Sequence, residues 1–375
     1  MRGAVFREEH PCASTLMPKA LARRAGALLD QGAAQLFPGY FSVVMATGAT
    51  SIAAHLLGYA LLAQLLLLAN VLAYVILWGF TLTRLLRYPR RLVGDMVDHA
   101  RGPGFFTIIA ATSILGSQLV LLRDWAAGGA AFWWLASGLW LLIMYAFFIA
   151  VTIRSRKPTL ASGINGAWLL AAVSTQSVSV LTSLVPWSGG DELRLFFALA
   201  MYLVGCMLYM AIITLIFYRL TFLRLTADTL TPPYWINMGA VAIATLAGAT
   251  LILQTGDSAL LTELLPFLKS FTLFFWATAT WWVHFLIGLT LWRHVLQRHA
   301  LRYEPQLWSM VFPLAMYTTG TLRLSAALEL DFLAIIPAIT FWLALAAWML
   351  TSAGMAGHFG RITWRALLLR TEAPT

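Results

Sequence analysis

Charge is what this sequence has least of: Asp, Glu, Lys and Arg together make up 11% of its 375 residues. A soluble domain carries about 25%, so a chain this poor in charge and 60% hydrophobic takes the bilayer as its solvent. Cysteine is nearly absent, and Cys12 and Cys206 supply neither a disulfide framework nor a metal set. His55, His99 and His284 lack metal-ligand spacing, no phosphate-binding glycine loop occurs, and no cofactor is expected. The string "GDSAL" at 256 resembles a hydrolase nucleophile motif. It follows an apolar run with no room for the strand-turn-helix such a motif needs, and no titratable cluster accompanies it, so an enzyme is disfavoured. Alternating apolar and polar residues are also missing. That excludes a membrane barrel and leaves helices, whose backbone groups are satisfied within each span.

What is present is a series of apolar windows of about 20 residues, the length that crosses hydrocarbon. Ten are expected, at 36–57, 61–83, 103–122, 130–153, 163–185, 193–218, 233–255, 268–292, 306–327 and 331–352. They divide the chain into a basic N-terminal tail (1–35), a membrane domain (36–352) and a C-terminal tail (353–375). No apolar core with a cleavage site precedes Phe37, so the first segment reads as a tail rather than a signal peptide. Of the 25 Lys and Arg residues, 21 fall in the tails and alternate loops, which predicts a multi-pass inner-membrane protein with both termini cytoplasmic. The net charge of +10 then lines one membrane face, and no nucleic-acid partner is expected.

An internal repeat runs through these windows. "FPGYF" at 37 returns as "GPGFF" at 102, "INGAW" at 164, "PPYWI" at 232 and "EPQLWSMVFP" at 304, each opening an odd-numbered span. Gly, Ala, Ser and Thr fill 46 of 100 positions in the odd spans and 30 of 100 in the even ones, where Trp133, Trp134, Trp140, Trp281 and Trp282 lie. Small residues permit close helix approach or leave space along an axis. The pattern predicts five hairpins, with odd helices inside and even helices outside. Hydroxyls stripe the odd spans: Thr47 and Ser51 on the first, Ser174 and Ser177 within a dense run on the fifth, Thr319 on the ninth. Any one of them can bond its own helix. As a set, with Phe41 and Phe106 from the first two repeat motifs, they are the candidate lining of a conduit. No Asp or Glu lies mid-span in an odd helix, which suits anions rather than cations.

"FPGYFSVVMATGATSI" carries Pro38, Phe41, Met45, Thr47, Gly48 and Ser51 in a pattern that resembles the first helix of the tellurite-resistance/C4-dicarboxylate transporter family. "WSMVFPL" at 308–314 is similar to that family's ninth helix, and the resemblance covers about 36–352. The family includes yeast malate permeases, sulfite efflux pumps and plant slow anion channels. The resemblance implies ten helices in five hairpins around a pseudo-fivefold pore, a homotrimer, and a small anion or C4-dicarboxylate (malate, sulfite, chloride or nitrate) as cargo. It also implies that Phe312, followed by Pro313, plugs the pore. Proton-coupled carriage is the alternative mechanism, and a non-conducting subunit a further one. Arg323 lies 11 residues beyond Phe312, on nearly the same helix face and roughly 16 Å further along. It either lines the outer vestibule or snorkels to Glu329 or Asp331.

Overall fold

The structure, a computed structural model, describes residues 26–27 and 29–368. Arg2, Arg7, Lys19, Arg23, Arg24 and Arg370 of the expected basic tails, and Cys12, lie outside the described residues. Among the described residues all regular structure is helical. Ten long helices follow in order: α1 (Ser42–Leu56), α2 (Ala60–Arg87), α3 (Phe106–Arg123), α4 (Ala126–Ile153), α5 (Leu170–Leu184), α6 (Asp191–Phe222), α7 (Ile236–Ile252), α8 (Leu265–Leu291), α9 (Trp308–Leu328) and α10 (Ile335–Leu368). The repeat motif has a definite structure. Each odd helix is preceded by a 3-10 turn: Pro38–Phe41, Gly102–Phe105, Gly166–Leu169, Pro232–Trp235 and Pro305–Leu307. Proline suits this place because its missing N–H is one that no helical carbonyl could use. In the third repeat Asn165 takes the proline's position, and its Oδ1 accepts from Ala167 N to cap the turn.

Eight helical segments are long and apolar enough to cross a membrane, two fewer than the ten windows expected. The two that fall short contain α1 and α9. Thr47, Gly48, Thr50 and Ser51 dilute the first, and Thr318, Thr319, Gly320, Thr321 and Arg323 the second. Both lie inside the bundle, where lipid makes no demand on composition. Burial separates the two classes of helix. The most apolar windows containing α3, α5 and α7 are 83%, 83% and 94% buried, whereas those of the even helices are 28% to 44% buried.

The odd helices close on themselves. α1 packs on α3, α3 on α5, α5 on α7, α7 on α9, and α9 again on α1. Their 3-10 turns contact one another in the same cyclic order and form a collar at one end. Close approach needs glycine there. A Cβ on Gly104 would stand 2.8 Å from Gly39 N, and one on Gly166 would stand 2.1 Å from Pro233 O.

The basic residues at the collar end are structural as well as topological. Arg84 Nη1 at the end of α2 donates to Leu36 O at 2.6 Å. Arg154 Nη1, just past α4, donates to Val97 O at 2.7 Å. Arg219 Nε of α6 donates to Ala161 O at 2.9 Å. Each arginine thus reaches back to the strand of backbone ahead of its own hairpin's collar turn, and closes that hairpin at its base. Arg84 and Arg101 also share Asp95, at 2.6 and 2.7 Å.

The inner ring is close-packed, so it tolerates no added volume at its helix crossings. A Cβ on Gly320 of α9 would meet Ala242 O of α7 at 2.7 Å, a backbone atom that cannot turn aside. Gly320→Ala is expected to destabilise the protein by about 1–3 kcal/mol. Gly138→Ala on α4, with nothing within 4 Å, should not. Thermal melting of both variants in one detergent checks this; equal melting temperatures would remove α7–α9 contact as a constraint on the ring.

Candidate functional site

Two narrow cavities lie on the ring, one at each end. At the collar a cavity of about 30 Å³ is lined from all five repeats, among them by Gly104, Thr107, Asn165, Pro233 and Ser309. Towards the other end a cavity of about 40 Å³ is lined by two or three side chains from every inner helix: Ile52 and Leu56, Ile114 and Ser117, Ser177 and Val180, Leu246 and Thr250, Thr319 and Arg323, and others. The two share no lining residue. Each exceeds the roughly 10–15 Å³ that admits a water molecule.

Phe312 falls between them. It lies three residues after Ser309, which lines the collar cavity, and four before Met316, which lines the other. All three therefore share one face of α9. Its ring is 1% exposed. Pro313, next to it, lies inside the helix and nests against α7, because a Cβ on Gly239 would meet the proline ring at 2.8 Å. Bare backbone on α7 thus accommodates the kink-prone proline of α9.

Of the other candidates, Ser177, Thr319 and Arg323 are brought together on one cavity wall. The two hydroxyls donate to Val173 O and Ala315 O of their own helices, at 2.8 and 3.0 Å. Arg323 forms no salt bridge with Glu329 or Asp331, so among the described residues the snorkelling alternative has no ion pair behind it.

The remaining candidates face elsewhere. Thr47 Oγ1 accepts from Trp348 Nε1 of α10 at 2.9 Å. Ser51 donates to Ala63 O of α2 at 2.8 Å. Phe41 packs edge-on against Tyr74 and Trp78 of α2, and Phe106 against Phe147 of α4. Ser174 is buried, bonds back to Ala171 O, and is not on the cavity wall. These side chains tie inner helices to outer ones or to themselves, so the expected hydroxyl-lined conduit is largely apolar.

The tie recurs around the ring. Trp140 and Trp133 of α4 donate to Thr175 and Thr182 of α5, both at 2.8 Å. Trp276 of α8 donates to Thr321 of α9 at 3.0 Å. Tyr74 of α2 bonds Thr112 of α3 at 2.9 Å. In each case the outer helix of one hairpin holds the inner helix of the next.

Arg101 is no free cation. It pairs with Asp95 and lies 5.6 Å over the Phe37 ring. Burial, and then the Arg154 guanidinium, hold the His99 imidazole below its ordinary value.

Sequence reasoning missed the apolar wall residues Ile52, Ile114, Val180, Leu246 and Met316. The repeat points close to them without hitting them: counting from Ser177 by the spacing of the collar prolines and Asn165 leads to Leu115, Ala244 and Tyr317, each one residue past a wall residue.

The sequence model of the voltage-dependent anion channel family, SLAC1, matches residues 35–356. The chain belongs to the SLAC1 family. Among its relatives, an uncharacterised membrane protein of Mycobacterium tuberculosis is 38% identical over 159 residues, covering 42% of this chain and 80% of that protein. An uncharacterised transporter of Methanocaldococcus jannaschii is 23% identical over 83% of this chain and 91% of its own length. A sulfite efflux pump of Arthroderma benhamiae is 22% identical over 84% and 88% respectively. This SLAC1-family chain is therefore a multi-pass membrane protein of a family of anion channels and transporters.

The Trp348–Thr47 bond makes a measurable claim about the face of α1. Hydrogen bonds between membrane helices are worth about 0.6 kcal/mol on average and at most about 1.7. Trp348→Phe and Thr47→Val should each lower stability by about that much. The double variant should lose little more than either alone. Melting of the three proteins gives the coupling, and strictly additive losses would detach Thr47 from the indole.

Proposed function

We propose that the chain is an anion pathway of ten membrane helices in five hairpins, with a narrow fivefold path along the axis of the inner ring, shut at Phe312. The observation that carries this reading is the composition of the cavity wall opposite the collar. Every inner helix contributes to it, and it bears one cation, Arg323, and no acid. An anion there is met by the Arg323 guanidinium, which repels a cation; Ser117, Ser177, Thr250 and Thr319 donate to carbonyls of their own helices and would have to turn those hydrogens inward to bind an anion. A phenyl ring across a path this narrow blocks it sterically and by excluding water. The arginine-rich collar end faces the cytoplasm, by the asymmetry of basic residues. Sulfite is the first cargo to try, since relatives bear the name sulfite efflux pump; malate, chloride and nitrate belong in the same panel.

Proteoliposomes test the reading. Reversal potentials under a salt gradient should follow the anion, and a value at the cation potential would refute it. Phe312→Ala should raise anion flux about tenfold, the effect of roughly 1.4 kcal/mol off the barrier. Phe196→Ala, whose ring is exposed on α6, should leave flux unchanged. Arg323→Gln should lower flux at low salt and approach wild type near 1 M, where screening acts over about 3 Å. Neither cavity wall holds an acid or a histidine, so flux should ignore an imposed pH gradient. Proton-driven accumulation would replace the channel by a coupled carrier.

Orientation is tested separately. Reporter fusions after Arg91, Lys157 and Arg302 should all read cytoplasmic, and an exterior reading at any of them would break the hairpin phase.

A further inference from the structure

Three hairpins end in an arginine bonded to the backbone ahead of their own collar turn; the fourth does not. Arg293, at the corresponding end of α8, lies in a π-helical turn, Trp292–Leu296, a distortion that often marks a functional site. Its Nη2 is 3.0 Å from His299 Nε2 instead of on a carbonyl. The residue is 8% exposed, and its Nε is buried without a partner. The backbone that a staple would reach, Leu230 and Thr231, forms one wall of a cavity of about 280 Å³.

Arg293 supplies the cationic side of this cavity, and Leu286, Leu289 and Met310 its apolar side. Its rim includes Leu301, 73% exposed, next to the lipid-facing end of α8. Among the described residues no acid lines the cavity, and Asp228, near His299, lies outside its wall. The chemistry required is thus an anionic head joined to an apolar tail. An inorganic anion would leave the leucine walls against water, and a bare acyl chain would leave the arginine unpaired. We propose that this groove binds an acidic phospholipid, with its phosphate on the Arg293 fork and one acyl chain between α8 and the first turn of α9. Arginine suits phosphate because its planar donors bond two oxygens at once. Basic pockets between membrane helices take lipid heads in the same way. The bound chain would touch Met310, two residues before Phe312, and so brace α9 where it leaves the collar.

The test uses the full chain purified in detergent, titrated with dioleoylphosphatidylglycerol and followed by native mass spectrometry and by melting. Wild type should bind this lipid about fivefold more tightly than Arg293→Gln, the usual effect of one basic residue at an anionic surface. Dioleoylphosphatidylcholine should not distinguish them. Leu289→Trp, which fills the groove and leaves the charge in place, should also lose binding; it carries the test alone if Arg293→Gln fails to fold. Arg154→Gln, which removes a charge from the same face outside the groove, should keep wild-type affinity. Equal binding by wild type and both groove variants overturns the proposal. So does an equal loss in Arg154→Gln, which would assign the lipid to the basic face as a whole. A melting shift from inorganic phosphate as large as that from the lipid overturns it as well, because the site would then be one for a free anion.

Discussion

A ring of helices holds only if its last member is bonded to its first. Here α9 packs back on α1, and an indole of the outer ring reinforces the closure: Trp348 of α10 donates to Thr47 of α1 across 301 residues of sequence. Aromatic donors on α2, α4 and α8 hold α3, α5 and α9 in the same way. In hydrocarbon there is no hydrophobic drive to press helices together, so directional bonds and close packing must do it. This explains the division of labour between the helices. Outer helices carry the bulky rings that face lipid and reach inward; inner helices carry the small residues that let backbones approach and the hydroxyls that receive those rings.

One consequence concerns the axis. Hydroxyls committed to outer helices are not available to a passing ion, so the axis keeps mainly Ile, Leu, Val and Met, relieved by four hydroxyls and Arg323. Such a wall binds nothing tightly. A narrow apolar wall sheds water readily, and Arg323 is its one charged residue.

Much of this was legible in the chain. The collar repeat, the contrast between small-residue and bulky helices, and the face of α9 that carries Phe312 and Arg323 could all be read from residue types and spacing. The direction of Thr47 and Ser51 could not. Helical periodicity shows which side chains share a face, but an inner helix is buried on every side, so a polar stripe does not tell axis from outer ring. The missing sign was a donor. Trp348 and Trp140, one ring edge each on an outer helix, mark the threonines that turn outward. Apolar content alone marks eight of the ten long helices for a related reason. α1 and α9 never meet lipid, and their composition answers to neighbours rather than to hydrocarbon.

The contact between α9 and α7 bears on time as well as space. Beside Phe312 the bare backbone of Gly239 receives the Pro313 ring, and two turns further on Gly320 stands against Ala242 O. Rigid-body rocking, a microsecond-to-millisecond motion, would have to pull the Pro313 ring from Gly239 and Gly320 from the Ala242 backbone. A phenyl ring turning about its own χ angles needs no such separation. Motion of the Phe312 ring thus belongs to the kinetics of side chains rather than of domains.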